Sequence, residues 1–79
     1  MSPLIFREGP FRFLFFSNEE KRIHAHILST EGEAKFWIEP RVCLAKSTGF
    51  SVKELNRIQR LVEEHKDEIK HSWEEHFKS

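Results

Sequence analysis

"IHAHILSTEGEAKFWIEP", residues 23–40, decides how this chain is read. Apolar and polar residues alternate on both sides of "TEG", the period of two expected of strands that bury one face. With Glu31 and Gly32 as a two-residue turn, a geometry that favours Gly, the stretch predicts a hairpin. Ile27 then faces Phe36, Ala25 faces Ile38 and Ser29 faces Ala34, a small and apolar set. On the other face His26 lies beside Trp37, His24 beside Glu39 and Leu28 beside Lys35. A slip of one residue would mix the two sets, so the pattern itself argues for a register that keeps them apart.

Upstream, "LIFREGPFRFLFF" (residues 4–16) reads as two more strands around a Gly9-Pro10 turn. Phe11, Phe13 and Phe15 fall on one face and Arg12, Leu14 and Phe16 on the other. "SNEEKR" (residues 17–22) is a polar loop. Downstream, Pro40 ends the fourth strand because it cannot donate to a ladder. "RVCLAKSTG" (residues 41–49) reads as a connection with room for a short helical turn.

A helix follows. Ser51 is a good N-cap and Glu54 completes a capping box, with Phe50 and Leu55 in the positions of a hydrophobic staple. Leu55, Ile58, Val62, His65, Ile69, Trp73 and Phe77 recur at spacings of three and four, an amphipathic stripe. One unbroken helix over residues 52–77 would be on the order of 39 Å long at ~1.5 Å per residue. Strands of ~17–20 Å cannot cover that stripe. Either the helix bends near His65, Lys66 and Asp67, or Ile69, Trp73 and Phe77 protrude to meet a partner. The cost of exposing a Trp/Phe stripe favours the partner, a second copy of the chain included.

The fold expected is α+β: a single domain over residues 1–79, with a four-stranded antiparallel sheet (1–40), a connection (41–50) and a long helix (51–77) on one face. Eight Phe and two Trp supply buried area to a short chain. Charges balance overall, with 13 Lys and Arg against 13 Asp and Glu, so no general attraction to nucleic acid or anionic membrane is implied. Their distribution is uneven. Residues 1–62 are basic and residues 63–79 acidic. The single Cys43 excludes an internal disulfide framework and reads as a buried thiol in a reducing compartment. The apolar run Phe13–Phe16 is far too short to span a bilayer, and Arg7, Glu8 and Arg12 break any signal-peptide pattern. A cytoplasmic protein with no membrane partner is expected.

Several motifs in order, "FFSN", "HAHI", "AKFWIEP" and "GFSVKELNRIQRLVEEH", together with Trp73, resemble a family of small bacterial proteins. It is the domain-of-unknown-function family numbered 4160. Its members often carry two prolines before the first histidine, where this chain has Arg22-Ile23. The resemblance implies a neighbouring gene for a small protein of the domain-of-unknown-function family numbered 2442. It further implies a toxin–antitoxin arrangement in which this chain is the toxin-like member and the neighbour its cognate antitoxin-like partner.

Three functional readings meet on the predicted histidine face. Two strand histidines can hold an ion, yet a stable site wants three or four ligands, and only Glu39 or Glu20 offers a third. His65, His71 and His76 are wrongly spaced for one helical face. No metal or other cofactor is assigned. Metal-independent cleavage of RNA needs a base, an acid and a cation for the phosphorane charge. His24 and His26 suit the first two roles, Lys35, Arg22 or Arg41 the third, and Glu39 assists. Trp37 would stack a base, and Arg22 and Arg41 count with it as binding residues. The same residues also suit recognition without catalysis, and beside both stands the plain reading of a packed Trp37 and solvated histidines. A non-catalytic regulatory or partner-binding module would instead use Ile69, Trp73 and Phe77.

Overall fold

A computed structural model describes residues 4–15 and 22–77, without the side chains of residues 76–77. The strands are β1 (Leu4–Glu8), β2 (Phe11–Leu14), β3 (His24–Leu28), β4 (Glu33–Trp37) and β5 (Cys43–Thr48), and the helices α1 (Val52–Glu64) and α2 (Lys66–Phe77). The strands form one antiparallel sheet in the order β1-β2-β3-β4-β5. The class is α+β as expected, but the sheet has five strands, not four. Residues read as a connection pair with β4 along its whole length. Their side chains are mostly exposed, so "CLAKST" lacks the alternation that marks a half-buried strand. Backbone pairing at an edge needs no such pattern.

The Gly9-Pro10 turn is where it was expected, with Glu8 opposite Phe11. The second hairpin differs. His24 lies opposite Trp37, Ala25 opposite Phe36, His26 opposite Lys35, Ile27 opposite Ala34 and Leu28 opposite Glu33. The pairing is shifted by two residues from the expected one. A shift of two keeps every side chain on its face, so periodicity could not distinguish the registers. The tip is longer than two residues, closed by Ser29 N–H to the Gly32 carbonyl at 3.0 Å. Gly32 serves a close approach instead of the turn: a Cβ there would run into the Thr48 carbonyl oxygen of β5.

Phe11, Phe13, Phe15, Ala25, Ile27, Ala34, Phe36 and Ile38 line the buried face of the sheet, and Ile58, Val62, Ile69 and Trp73 close over it from the helices. Ser51 accepts from Glu54 N–H at 3.1 Å while the Glu54 carboxylate accepts from Ser51 N–H at 2.8 Å, so the capping box forms. The long helix is broken at His65, whose φ of −108° and ψ of 14° leave the helical range. Neither Pro nor Gly is responsible. The break lets both halves of the stripe reach a short sheet, and the His65 ring lies on Phe6 of β1, centroids 4.2 Å apart. Ile69 is fully buried and Trp73 is 8% exposed, so neither protrudes. The expectation of an unpartnered stripe is corrected at these two positions. The third residue expected there, Phe77, has a side chain outside the described set, and Phe16 and Glu20 lie outside the described residues altogether.

Candidate functional site

Both helices pack on one side of the sheet, and on the opposite side Trp73 of α2 reaches round to His24 while Leu14 is also buried. Alternation along each strand and the observed register set the rows of that opposite side. One row runs Arg7, Arg12, Leu28, Glu33, Thr48. The next runs Leu14, His26, Lys35, Lys46. A third holds His24, Trp37 and Cys43. Among the charged strand residues on this face, four are cations and one, Glu33, is an acid. Acids are concentrated in the helix layer, at Glu63, Glu64, Asp67, Glu68, Glu74 and Glu75.

The two histidines of β3 have different surroundings. His24 is 3% exposed, the one polar side chain among the buried described residues. Its Nδ1 lies 2.8 Å from the Arg22 carbonyl oxygen. A carbonyl can only accept, so Nδ1 carries the proton and donates. Around the ring stand Trp73 at 5.1 Å, His26 at 5.2 Å and Trp37 at 5.8 Å between centroids, all near edge-on. The expected solvent-facing neighbour of Glu39 is therefore a buried, aromatic-walled group. A period-two pattern sees strand faces; it cannot see α2 bringing Trp73 to the start of β3.

His26 is half-buried, beside Lys35 on β4 and one strand further from Lys46 on β5. These residues, with Glu33, Ser47 and Thr48, line an open hollow of about 310 Å³. Trp37 is also half-buried. The Arg22 guanidinium carbon lies 4.3 Å and Lys35 Nζ 4.5 Å from its ring centroid, both in cation–π range. Arg22 additionally donates from Nε to the Glu39 carbonyl oxygen at 2.6 Å. Backbone and ring together tie Arg22 down where the chain comes into β3.

Glu39 and Arg41 separate from this group. The Glu39 carboxylate holds Lys70 Nζ of α2 at 2.6 Å, and this hydrogen bond raises the Lys70 ammonium above its ordinary range. Arg41 lines another hollow, of about 340 Å³, with Glu39, Glu63, Lys66 and Lys70. The structure thus gathers His24, His26, Lys35, Trp37 and Arg22, and places Glu39 and Arg41 elsewhere. Lys46, Arg7 and Arg12 join the face without having been read as site residues. The like-charged pairs Arg7/Arg12 and Lys35/Lys46 were the missing signal, and only the register makes them visible.

Cys43 is half-buried opposite Trp37. Among the described residues no three His, Cys, Asp or Glu side chains converge as metal ligands, and no helix is long and apolar enough to cross a membrane. No curated protein and no solved structure matches the chain. Residues 11–74 match the family described as Domain of unknown function (DUF4160), a span that takes in β2 to β5, α1 and most of α2. The chain therefore belongs to the DUF4160 family.

Proposed function

We propose that this chain is the toxin-like component of a bacterial two-gene toxin–antitoxin module and that it acts on RNA through the face of its sheet opposite the helices. The observation that carries the RNA reading is the row His26, Lys35, Lys46 across three adjacent strands, set around one open hollow. A phosphodiester needs cations for its charge, and cleavage needs a group that moves a proton near neutral pH. His26 is the histidine of the pair with solvent access. His24 serves as a positioning residue: walled by two Trp rings and bonded to the Arg22 carbonyl, it holds the His26 ring at 5.2 Å. Lys35 and Lys46 stabilise the phosphorane. Trp37 and Arg22 hold an adjacent nucleotide. The antitoxin-like partner neutralises by covering this face, since Ile69 and Trp73 belong to the core.

The burial of His24 also favours a second reading. One accessible histidine supplies either the base or the acid of a two-step proton transfer, and arrest by binding RNA without cutting it needs neither.

The test is expression of the chain alone in bacteria, beside His26→Ala produced at equal soluble level, with growth and total-RNA integrity followed together. Arrest with RNA loss that His26→Ala abolishes supports cleavage. Arrest with intact RNA supports the binding reading. Normal growth with the wild-type chain sinks the toxin proposal.

A further inference from the structure

Both edges of the sheet depart from regular pairing, and in the same way. The inner ladders, β2–β3 and β3–β4, run without a shift. In β1–β2, Leu4 lies opposite Leu14 and Phe6 opposite Phe13, so Ile5 is an extra residue on the outer strand. In β4–β5, Leu44 lies opposite Phe36 and Lys46 opposite Lys35, so Ala45 is an extra residue, again on the outer strand. Each is a one-residue bulge, which bends its strand and increases the local twist.

The bulges fall beside apolar surface. Among the described strand residues, the large hydrophobic side chains left exposed are Leu4 at 55% and Leu44 at 41%. Each sits on an edge strand and directly precedes the bulged residue. An edge strand presents unpaired N–H and C=O groups to any other extended chain, and an exposed leucine adds apolar area to that contact. Among the described residues neither β1 nor β5 has a second strand beside it. A second copy of this chain is the partner always at hand, because it brings the same edges. Cations stand next to the bulges as well: Arg7 follows Ile5 on β1 and Lys46 follows Ala45 on β5, both exposed. An antiparallel pair of β5 strands centred near Lys46 would set the two ammonium groups against each other.

We infer that the bulges at Ile5 and Ala45, with Arg7 and Lys46 beside them, guard the two edges against strand addition by a second copy of the chain. They keep two copies from joining their sheets into one. The assignment is independent of the RNA reading.

The experiment removes one guard. Deletion of Ala45 leaves Leu44 opposite Phe36 and Lys46 opposite Lys35, so the ladder becomes regular and each side chain keeps its face. Ala45 is itself exposed, so the deletion takes nothing from the core. Sedimentation equilibrium compares the wild-type chain, the deletion, and Leu44→Lys in both backgrounds, each first checked for a cooperative thermal melt. Wild type is expected to stay monomeric. The deletion should self-associate at least about tenfold more tightly, and Leu44→Lys should reverse the gain. A folded deletion variant as monomeric as wild type overturns the assignment. So does a wild-type chain that dimerises and becomes monomeric with Leu44→Lys, because its edge is then open. If the deletion does not melt cooperatively, Lys46→Ile carries the test, since it keeps the bulge and removes an exposed cation. Self-association should then rise at least about threefold over wild type, and no rise overturns the guard.

Discussion

Lys35 and Lys46 stand directly opposite each other across the β4–β5 ladder, on the side of the sheet opposite the helices. Like charges directly opposite each other oppose strand pairing. Lys46→Glu replaces the repulsion with an attraction and should raise stability by about 0.2–1 kcal/mol. It should also weaken oligouridine binding at least tenfold. Urea denaturation and anisotropy on the same preparation check both. A variant that gains stability and binds normally would show that Lys46 is no part of the site.

His24 and His26 should separate in their effects. Truncating His24 leaves a void between two Trp rings and strips the Arg22 carbonyl of its donor, so His24→Ala should destabilise by about 1–3 kcal/mol. His26→Ala, at a half-buried position, should cost less than about 1 kcal/mol while removing the effect on RNA. Denaturant midpoints beside the growth assay distinguish structural loss from loss of function. Equal destabilisation by both would contradict the assignment of His24 as the buried, positioning member.

Gly32 and Gly49 lie back to back where the β3–β4 tip meets the end of β5. A Cβ on either would collide with main-chain atoms of the other segment, and Gly49 has a φ of +89° as well. Backbone cannot move aside as a flexible side chain can. Gly32→Ala and Gly49→Ala should each lower stability by about 2 kcal/mol or more. Thermal melts by circular dichroism read this directly, and a loss under about 0.5 kcal/mol would mean that β5 does not dock as described.

Glu31 on the hairpin tip shares a hydrogen bond with Glu54 of the capping box. That bond, and the Glu54 charge, raise the Glu31 carboxyl above its ordinary 4.5, while hydrogen bonds from Glu31 and the Ser51 backbone hold Glu54 below it. The contribution of Glu31 is fully present below the ordinary carboxylate value and is lost as pH rises through the raised one. That of Glu54 is present above the ordinary value and is lost as pH falls through the lowered one. Glu31→Gln keeps a donor and removes the repulsion. Its melting temperature should therefore exceed wild type at about pH 7 and approach it at about pH 4. An equal difference at both pH values would rule out the carboxylate pair as the cause.

Read from residues alone, the chain already yields the aromatic face of β2, the Gly9-Pro10 turn, the capping box at Ser51 and the apolar face of the β3–β4 hairpin. Each is a local rule: alternation, turn chemistry or a cap written within four residues. The family was also legible, in "HAHI", "AKFW" and the helix that follows. Three features were not. A register shift of two preserves faces, so alternation could not reveal that His26 meets Lys35 and His24 meets Trp37. An edge strand needs only backbone, so "CLAKST" looked like a loop.

The third is the choice between a bend near His65, which the helix length already allowed, and a protruding stripe; what decides it lies outside the helix. Phe6 and the short sheet draw both halves of the stripe onto one face, burying the Trp73 that the unbroken period left exposed. Sequence by itself determined most of the apolar residues that avoid water and where β2 and α1 begin. Tertiary structure alone decided which polar residues became neighbours. Hydrophobic patterning selects faces and leaves partners free, whereas the lateral order of strands and the packing of α2 fix distances between residues far apart in the chain.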